Sequence, residues 1–356
     1  MYHQIAASLL IFVSSFISFS ALSQSIDNNK TYSIVGVGDI VIGLNYPEED
    51  GKPYYPQFNG HKLFSHVADF ISSADIAVGN LEGVLLNNGG TPKVTKNPKN
   101  CYLFRMNENH ATHLADAGFD AMSLANNHVR DFGVEGQFST MRTLDASGIT
   151  YAGIKKLCET AIMTKNNMRY GFCAFAPNGG TVSIHDYKNA ENIVKHLKEI
   201  CDFVIVSFHG GAEGHDKNRV TREQEEFKGE KRGNVYKFAH RMVDAGADVI
   251  FGHGPHVVRG IELYKNRLIA YSLGNFCTPY GINKKGKNGY APVVKVNVNE
   301  NGEFVSGKIF SARQTGVSGP IIDTKNIVIH EMARLSKLDF PESKLIITKD
   351  GILKSN

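Results

Sequence analysis

The chain has 356 residues, 42% hydrophobic and 21% charged, with a formal net charge of +4. This is ordinary globular composition, long enough for one large α/β domain or two small ones, and it excludes disorder, collagen and a coiled coil. The charge is mild: it leaves a polyanionic partner open but lacks the dense basic footprint of a nucleic-acid binder, so no nucleic-acid partner is expected.

Residues 6–21 are almost wholly apolar or small, and no Asp, Glu, Lys or Arg precedes Asp27. Ala21-Leu22-Ser23 then offers small residues before Gln24. This reads as a signal peptide over 1–23 and an exported protein, periplasmic or extracellular. The competing reading is an uncleaved inner-membrane anchor over 5–22, although that run is short beside the roughly 20 residues of a spanning helix. A strand over 32–37 stops at Gly38-Asp39. After a loop at 45–60, residues 61–72 have helical periodicity, with Leu63, Phe64, Val67, Ala68 and Ile71 on one face. A strand over 75–79 ends at Asn80-Leu81-Glu82, and 87–100 read as a loop. A helix over 107–117 precedes a strand over 119–124, which ends at Asn126-Asn127-His128. A helix over 134–147 leads to strands near 149–153, 160–165 and 169–175, the last two joined by a tight turn at Asn166-Asn167. Cys158 and Cys173 flank that hairpin and are either bridged or both buried thiols. None of the five cysteines forms a CxxC pair, so no zinc knuckle is indicated. A helix over 191–200, a strand over 203–208 ending at His209, a helix over 234–245 and a strand over 247–251 ending at Gly252-His253 follow. Short strands fill 257–312, and 327–353 hold a short helix and a strand. The alternation implies a largely parallel sheet. No repeat or linker interrupts it, so one domain is expected over 31–325, with 326–356 as an extension packed on it.

The chemistry sits where strands stop. Asp39, Asn80 and Glu82, Asn127 and His128, His209, and His253 with His256 all follow predicted strands, and in open α/β sheets ligands bind outside the carboxyl ends of strands. Singly, each has an ordinary reading as a turn, a cap or a structural histidine. Together, Asp, Glu, Asn and His make the ligand set of a metal site. No GxSxG elbow or phosphate-binding Gly-rich loop is present, and Gly36-Val37-Gly38-Asp39 lacks the third glycine of a dinucleotide fingerprint. His61, His66, His110, His113, His185, His196, His215 and His240 read as surface or structural. The basic stretches 228–232 and 284–287 read as solvated loops.

Several stretches carry a resemblance: Val37-Gly38-Asp39-Ile40; Gly79-Asn80-Leu81-Glu82-Gly83; Leu124-Ala125-Asn126-Asn127-His128 with Asp131-Phe132-Gly133; Phe208-His209-Gly210-Gly211-Ala212-Glu213; Gly252-His253-Gly254-Pro255-His256; and Tyr271-Ser272-Leu273-Gly274-Asn275-Phe276. In this order they resemble the bacterial CapA-type family of poly-γ-glutamate capsule synthesis proteins, whose fold is similar to that of calcineurin-type metallophosphoesterases. The resemblance implies a layered α/β/β/α sandwich of two mixed sheets flanked by helices. It implies one or two divalent ions (Mn, Zn, Fe or Mg), with Asp39 and His256 on the first, His209 and His253 on the second, and Asn127 as a further ligand. Glu82 would bridge them in place of the usual Asp, as part of the catalytic machinery, and His128 would act as acid or charge stabiliser. Asn80, Asn126, Asp131 and Glu213 would touch substrate or support the ligands. One departure stands out: Val41 occupies the place of a histidine ligand, which leaves the first site a ligand short. The implied activity is metal-assisted hydrolysis or transfer at a phosphoester or γ-glutamyl amide. Its partners would be an anionic polymer or phosphoester substrate and other envelope biosynthesis proteins, with the membrane met only through the N-terminal segment. The alternative is a non-catalytic polymer-binding or export factor with a structural or vestigial metal site.

Overall fold

Period-two alternation in the first strand sorts its side chains between two cores. In Tyr32–Ile40, Val35 and Val37 enter one apolar cluster and Ile34 enters another. Both faces are covered, which is why the run is apolar nearly throughout. The computed structural model describes residues 30–46, 60, 62–94 and 101–356, so the expected signal segment and His61 lie outside the described residues.

The first strand sits within a nine-stranded sheet. On one side it pairs in parallel with Ile76–Leu81, followed by Ala121–Ser123 and Thr150–Ala152. On the other it pairs antiparallel with Val293–Val298, followed by Phe304–Phe310, Ile352–Ser355 and Leu345–Ile347. Asn275–Cys277 also pairs with it, in parallel, at its carboxyl end. A six-stranded sheet runs Ile261–Tyr264, Arg267–Ala270, Val249–His253, Phe203–His209, Met168–Phe175, Thr160–Lys165.

Phe203, Ile205, Val249 and Phe251 pack with Ile34, Val78 and Val294 between the sheets. The approach is close: a Cβ on Gly36 would stand 2.5 Å from the Phe251 ring. The alternate residues Val204, Val206 and Ile250 face the helices Tyr187–Ile200 and Val235–Ala245. The outer face of the larger sheet is covered by Ala68–Ser72, His110–Asp116 and Gly133–Ala146. The result is an α/β/β/α sandwich of two mixed sheets.

Several elements differ from expectation. The larger sheet is half antiparallel, because the strands of the last third add to the free edge of the first strand. Only Ala68–Ser72 of the expected 61–72 helix is helical; residues 62–67 form turns, yet Leu63, Phe64 and Val67 still enter the same core as Ile71. The 107–117 helix shortens to His110–Asp116. Three small pairs were not foreseen: Val84–Leu85 with Arg105–Met106, Glu225–Phe227 with Glu230–Gly233, and Ala312–Gln314 with Pro320–Ile322. The second replaces the expected solvated loop at 228–232 with a hairpin. The tail is a helix, Ile327–Asp339, and two strands rather than one. Cys158 and Cys173 are both free thiols, and only Cys173 is fully buried. Among the described residues no helix is long and apolar enough to cross a membrane.

Candidate metal centre

Strand register brings the distant polar residues side by side. Asp39 is level with Asn80 on one neighbouring strand and with Asn275 on the other. In the facing sheet His253 is level with His209. Strands may approach this closely only because glycines precede the polar residues: a Cβ on Gly38 would stand 2.0 Å from Gly274 O, and one on Gly252 2.3 Å from Tyr271 O. Glu82 follows the second strand directly, and the Gly252–His256 segment turns sharply enough that His256 adopts φ 59°, a left-handed value unusual for a non-glycine residue.

Ligand-capable atoms of Asp39, Glu82 and His256 all lie within 4.8 Å of one another. Both carboxylates are fully buried. His256 Nδ1 is 3.1 Å from Asp39 Oδ2 and 3.0 Å from Asn275 Oδ1, and its Nε2 is 3.7 Å from Glu82 Oε1. Asn275 Nδ2 donates to the carbonyls of His256, Asn283 and Asn288, which fixes its amide so that Oδ1 faces the imidazole. With acceptors on both sides, His256 Nδ1 carries a proton and Nε2 is the nitrogen directed at Glu82. His253 Nδ1 lies 3.5 Å from Asp39 Oδ1. Asn80 Nδ2 donates to Asp39 Oδ1 at 2.8 Å, and Asn126 Nδ2 donates to Asn80 Oδ1 at 3.1 Å and to Leu81 O at 2.8 Å.

His128 Nε2 faces the cluster, 3.9 Å from Glu82 Oε1. Its Nδ1 lies 2.6 Å from Asp131 Oδ2. Asp131 also accepts from Phe104 N and Lys93 Nζ, so it is the acceptor in this pair and His128 Nδ1 the donor. The Phe104 ring stacks on the imidazole at 4.0 Å. A cleft of about 1080 Å³ opens over the cluster, and Asn127, His128, Glu213, Arg232 and His256 line it.

The electrostatics follow from burial and proximity. Burial by itself would raise the Asp39 carboxyl, but His253 and His256 outweigh it and hold the group well below the usual carboxylate range. Burial first, then the Asp39 charge, drive Glu82 well above its ordinary value. Burial opposes the charged form of His256, yet Glu82 and Asp39 lift it to about 10. Burial and the neighbouring Arg232 charge depress His209 well below its ordinary value. A cluster that keeps protons on Glu82 and His256 is one that can exchange them for a cation.

Unpaired atoms test whether a divalent ion fits. Both Glu82 oxygens, Asn127 Oδ1 and His253 Nδ1 are buried and have no hydrogen-bond partner. Each such group costs on the order of 1–3 kcal/mol if nothing satisfies it. Carboxylate, amide oxygen and imidazole are the donors that Mn, Zn, Fe or Mg takes, so the residues around Asp39 fit the group. Val41, which the resemblance sets where a histidine ligand is usual, is fully buried in the apolar core.

Of the residues singled out from sequence, the structure gathers Asp39, Glu82, His128, His253 and His256 within these contacts, with Asn80, Asn126 and Asp131 as their direct hydrogen-bond partners. Asn127 lines the same cleft, and its carbonyl accepts from Lys93 Nζ. His209 and Glu213 border the cluster: the His209 and His256 rings lie 6.4 Å apart, edge to face, and both His209 and Glu213 contact Arg232. Three contributors escaped sequence reasoning: Asn275, which lay in a quoted stretch without a role; Lys93, on Asp131; and Arg232, hidden in a charge run.

The profile of the family described as "Bacterial capsule synthesis protein PGA_cap" matches residues 33–280. The chain belongs to this family. Capsule biosynthesis protein CapA of Bacillus anthracis is 26% identical over 327 residues, covering 86% of this chain and 74% of that protein. PGA biosynthesis protein CapA of Bacillus subtilis (strain 168) is 28% identical over 299 residues, covering 78% and 73%. Among solved structures, a putative 5'-nucleotidase from Staphylococcus aureus is similar over 87% of this chain and 58% of its own, at 14% identity and a TM-score of 0.47. The calcineurin-like phosphoesterase YfkN of Bacillus subtilis is similar over 88% and 96%, at 11% identity and a TM-score of 0.45. The match to the capsule family takes in Asp39, Glu82, His128, His209, His253, His256 and Asn275.

Proposed function

We propose that this member of the capsule synthesis family is an exported, metal-dependent hydrolase or transferase that acts on a phosphoester or a γ-glutamyl amide. The observation that carries the reading is the set of buried, unpartnered ligand atoms, led by both oxygens of Glu82, beside Asp39 and His256 beneath a large cleft. Asp39, Glu82 and His256 would hold a divalent cation, with Asn127 and His253 as the remaining donors. Bound there, the ion would polarise a substrate oxygen and neutralise charge that develops on it.

The chain's own groups supply the rest. The Asn126-to-Asn80-to-Asp39 relay pins one carboxylate, and Asn275 orients the His256 imidazole. Asp131 holds the proton on His128 Nδ1, so a second proton on Nε2 is directed toward the cluster and can pass to a leaving oxygen or nitrogen. Phe104 stacks against that imidazole and keeps it from turning. Purified protein given Mn or Zn is expected to cleave a generic phosphodiester or a γ-glutamyl substrate. His128→Ala should abolish turnover with the metal retained, and His256→Ala should abolish both. Activity that survives both changes sinks the proposal.

A second reading, a non-catalytic factor that binds anionic polymer, is favoured by Val41 at a ligand position and by the direct contact between Arg232 and His209. Tight polymer binding with no turnover under several metals would select it.

A further inference from the structure

Arg232 lies in the hairpin strand Glu230–Gly233, and its side chain is among the most deeply buried in the molecule. Burying a guanidinium costs several kcal/mol unless its N–H groups find acceptors. Here Nε donates to Gly211 O at 3.1 Å, and Nη2 reaches His209 Nε2 at 3.1 Å and Glu213 Oε1 at 3.0 Å. None of these bonds uses Nη1, and Arg232 lines the cleft together with His128 and His256.

The contact with His209 decides the protonation of that ring. A guanidinium has donors only and stays charged at any accessible pH. His209 Nε2 is therefore the acceptor, and its lone pair is occupied. A neutral imidazole has a single N–H, so it sits on Nδ1, the atom that is buried without a partner. As placed, His209 offers no lone pair to a metal. A second cation would need that lone pair, and its charge would stand against that of Arg232.

We infer that Arg232 takes the place of a second metal ion: the centre holds one divalent cation, on Asp39, Glu82 and His256, and the guanidinium supplies the other fixed positive charge that an anionic substrate oxygen meets. This rests on the metal-centre reading above. The fixed charge has a geometric advantage over a Lys at the same point, because the planar fork is held by the Gly211 carbonyl and by Glu213 and presents its free edge in one orientation. The donor set around Asp39 fits a metal, whereas the set around His209 does not while Arg232 is present.

The test is metal stoichiometry on the full-length protein. Loaded with excess Mn and freed of unbound ion, the wild type is expected to retain one Mn per chain by elemental analysis and to give the EPR signal of an isolated Mn centre. Arg232→Ala should retain two per chain with a spin-coupled signal, because His209, Glu213 and the remaining donors are then released. Arg232→Lys should stay at one. Two ions in the wild type, or one isolated ion in Arg232→Ala, overturns the inference and leaves the metal-centre reading intact. No bound ion in the wild type overturns both. Should Arg232→Ala fail to fold, the wild-type stoichiometry and coupling decide alone.

Discussion

Asp131 shows how much a single buried side chain contributes here. It accepts from Phe104 N, Lys93 Nζ and His128 Nδ1 at once, and so ties a strand approach, a cleft wall and an imidazole together. Asp131→Asn keeps the volume but offers an amide in place of the carboxylate that holds the His128 proton. Turnover of the phosphodiester probe is expected to fall by roughly 10–100-fold, the usual scale for losing such a supporting group, with metal content unchanged. Metal lost along with activity would mean that Asp131 serves the scaffold instead. At this scale the sequence was partly legible. Asp39, Glu82 and His256 stand out because polar residues follow apolar strand runs. Arg232 does not, because nothing local distinguishes it from Lys228 or Lys231. It is buried only because Gly211 O, His209 and Glu213 accept its N–H groups.

At the scale of elements, the short helix His110–Asp116 carries a pH-sensitive core residue. Burial first, and the nearby His113 second, hold His110 at about 4, below its ordinary 6.5. The folded state therefore refuses a proton that the unfolded chain accepts. The stability that neutral His110 contributes is complete above about pH 6.5 and is lost as the pH falls toward 4, amounting to about 2 kcal/mol by pH 5. Urea midpoints at pH 7 and pH 5 should show this difference, and His110→Gln should flatten it. An unchanged slope in the variant would assign the acid sensitivity to other groups. Long helices and central strands were legible from periodicity and from caps such as Asn234, whose side chain accepts from Lys237 N, and Gly246 in the left-handed conformation. Residues 62–67 were not, since an apolar face at helical spacing can also be met by successive turns that enter the same core. Two-residue strands such as Val84–Leu85 are too short to show any period.

At the scale of the whole molecule, the centre joins two sheets. Asp39, Glu82 and His128 come from the larger sheet and its loops, and His253 and His256 from the smaller. A cation held by both is expected to stabilise the fold by linkage, about 2.7 kcal/mol at a hundredfold excess over Kd, so that Zn raises Tm and a chelator lowers it. A Tm indifferent to both would place any bound metal elsewhere. The layered architecture was legible through the family resemblance, whereas alternation of strands and helices suggested a mainly parallel sheet. Local pattern shows that a segment is a strand, not which edge it will join, and Val293–Val298 joins the first strand antiparallel with residues 41–292 between them. That separation has a consequence for metal identity. The donors are scattered along the chain, so no ion can be captured until both sheets have closed. If the N-terminal segment is an export leader and the chain crosses a membrane unfolded, folding and loading both happen on the far side. The metal would then be chosen by what that compartment supplies, not by the stronger-binding ions of the cytosol.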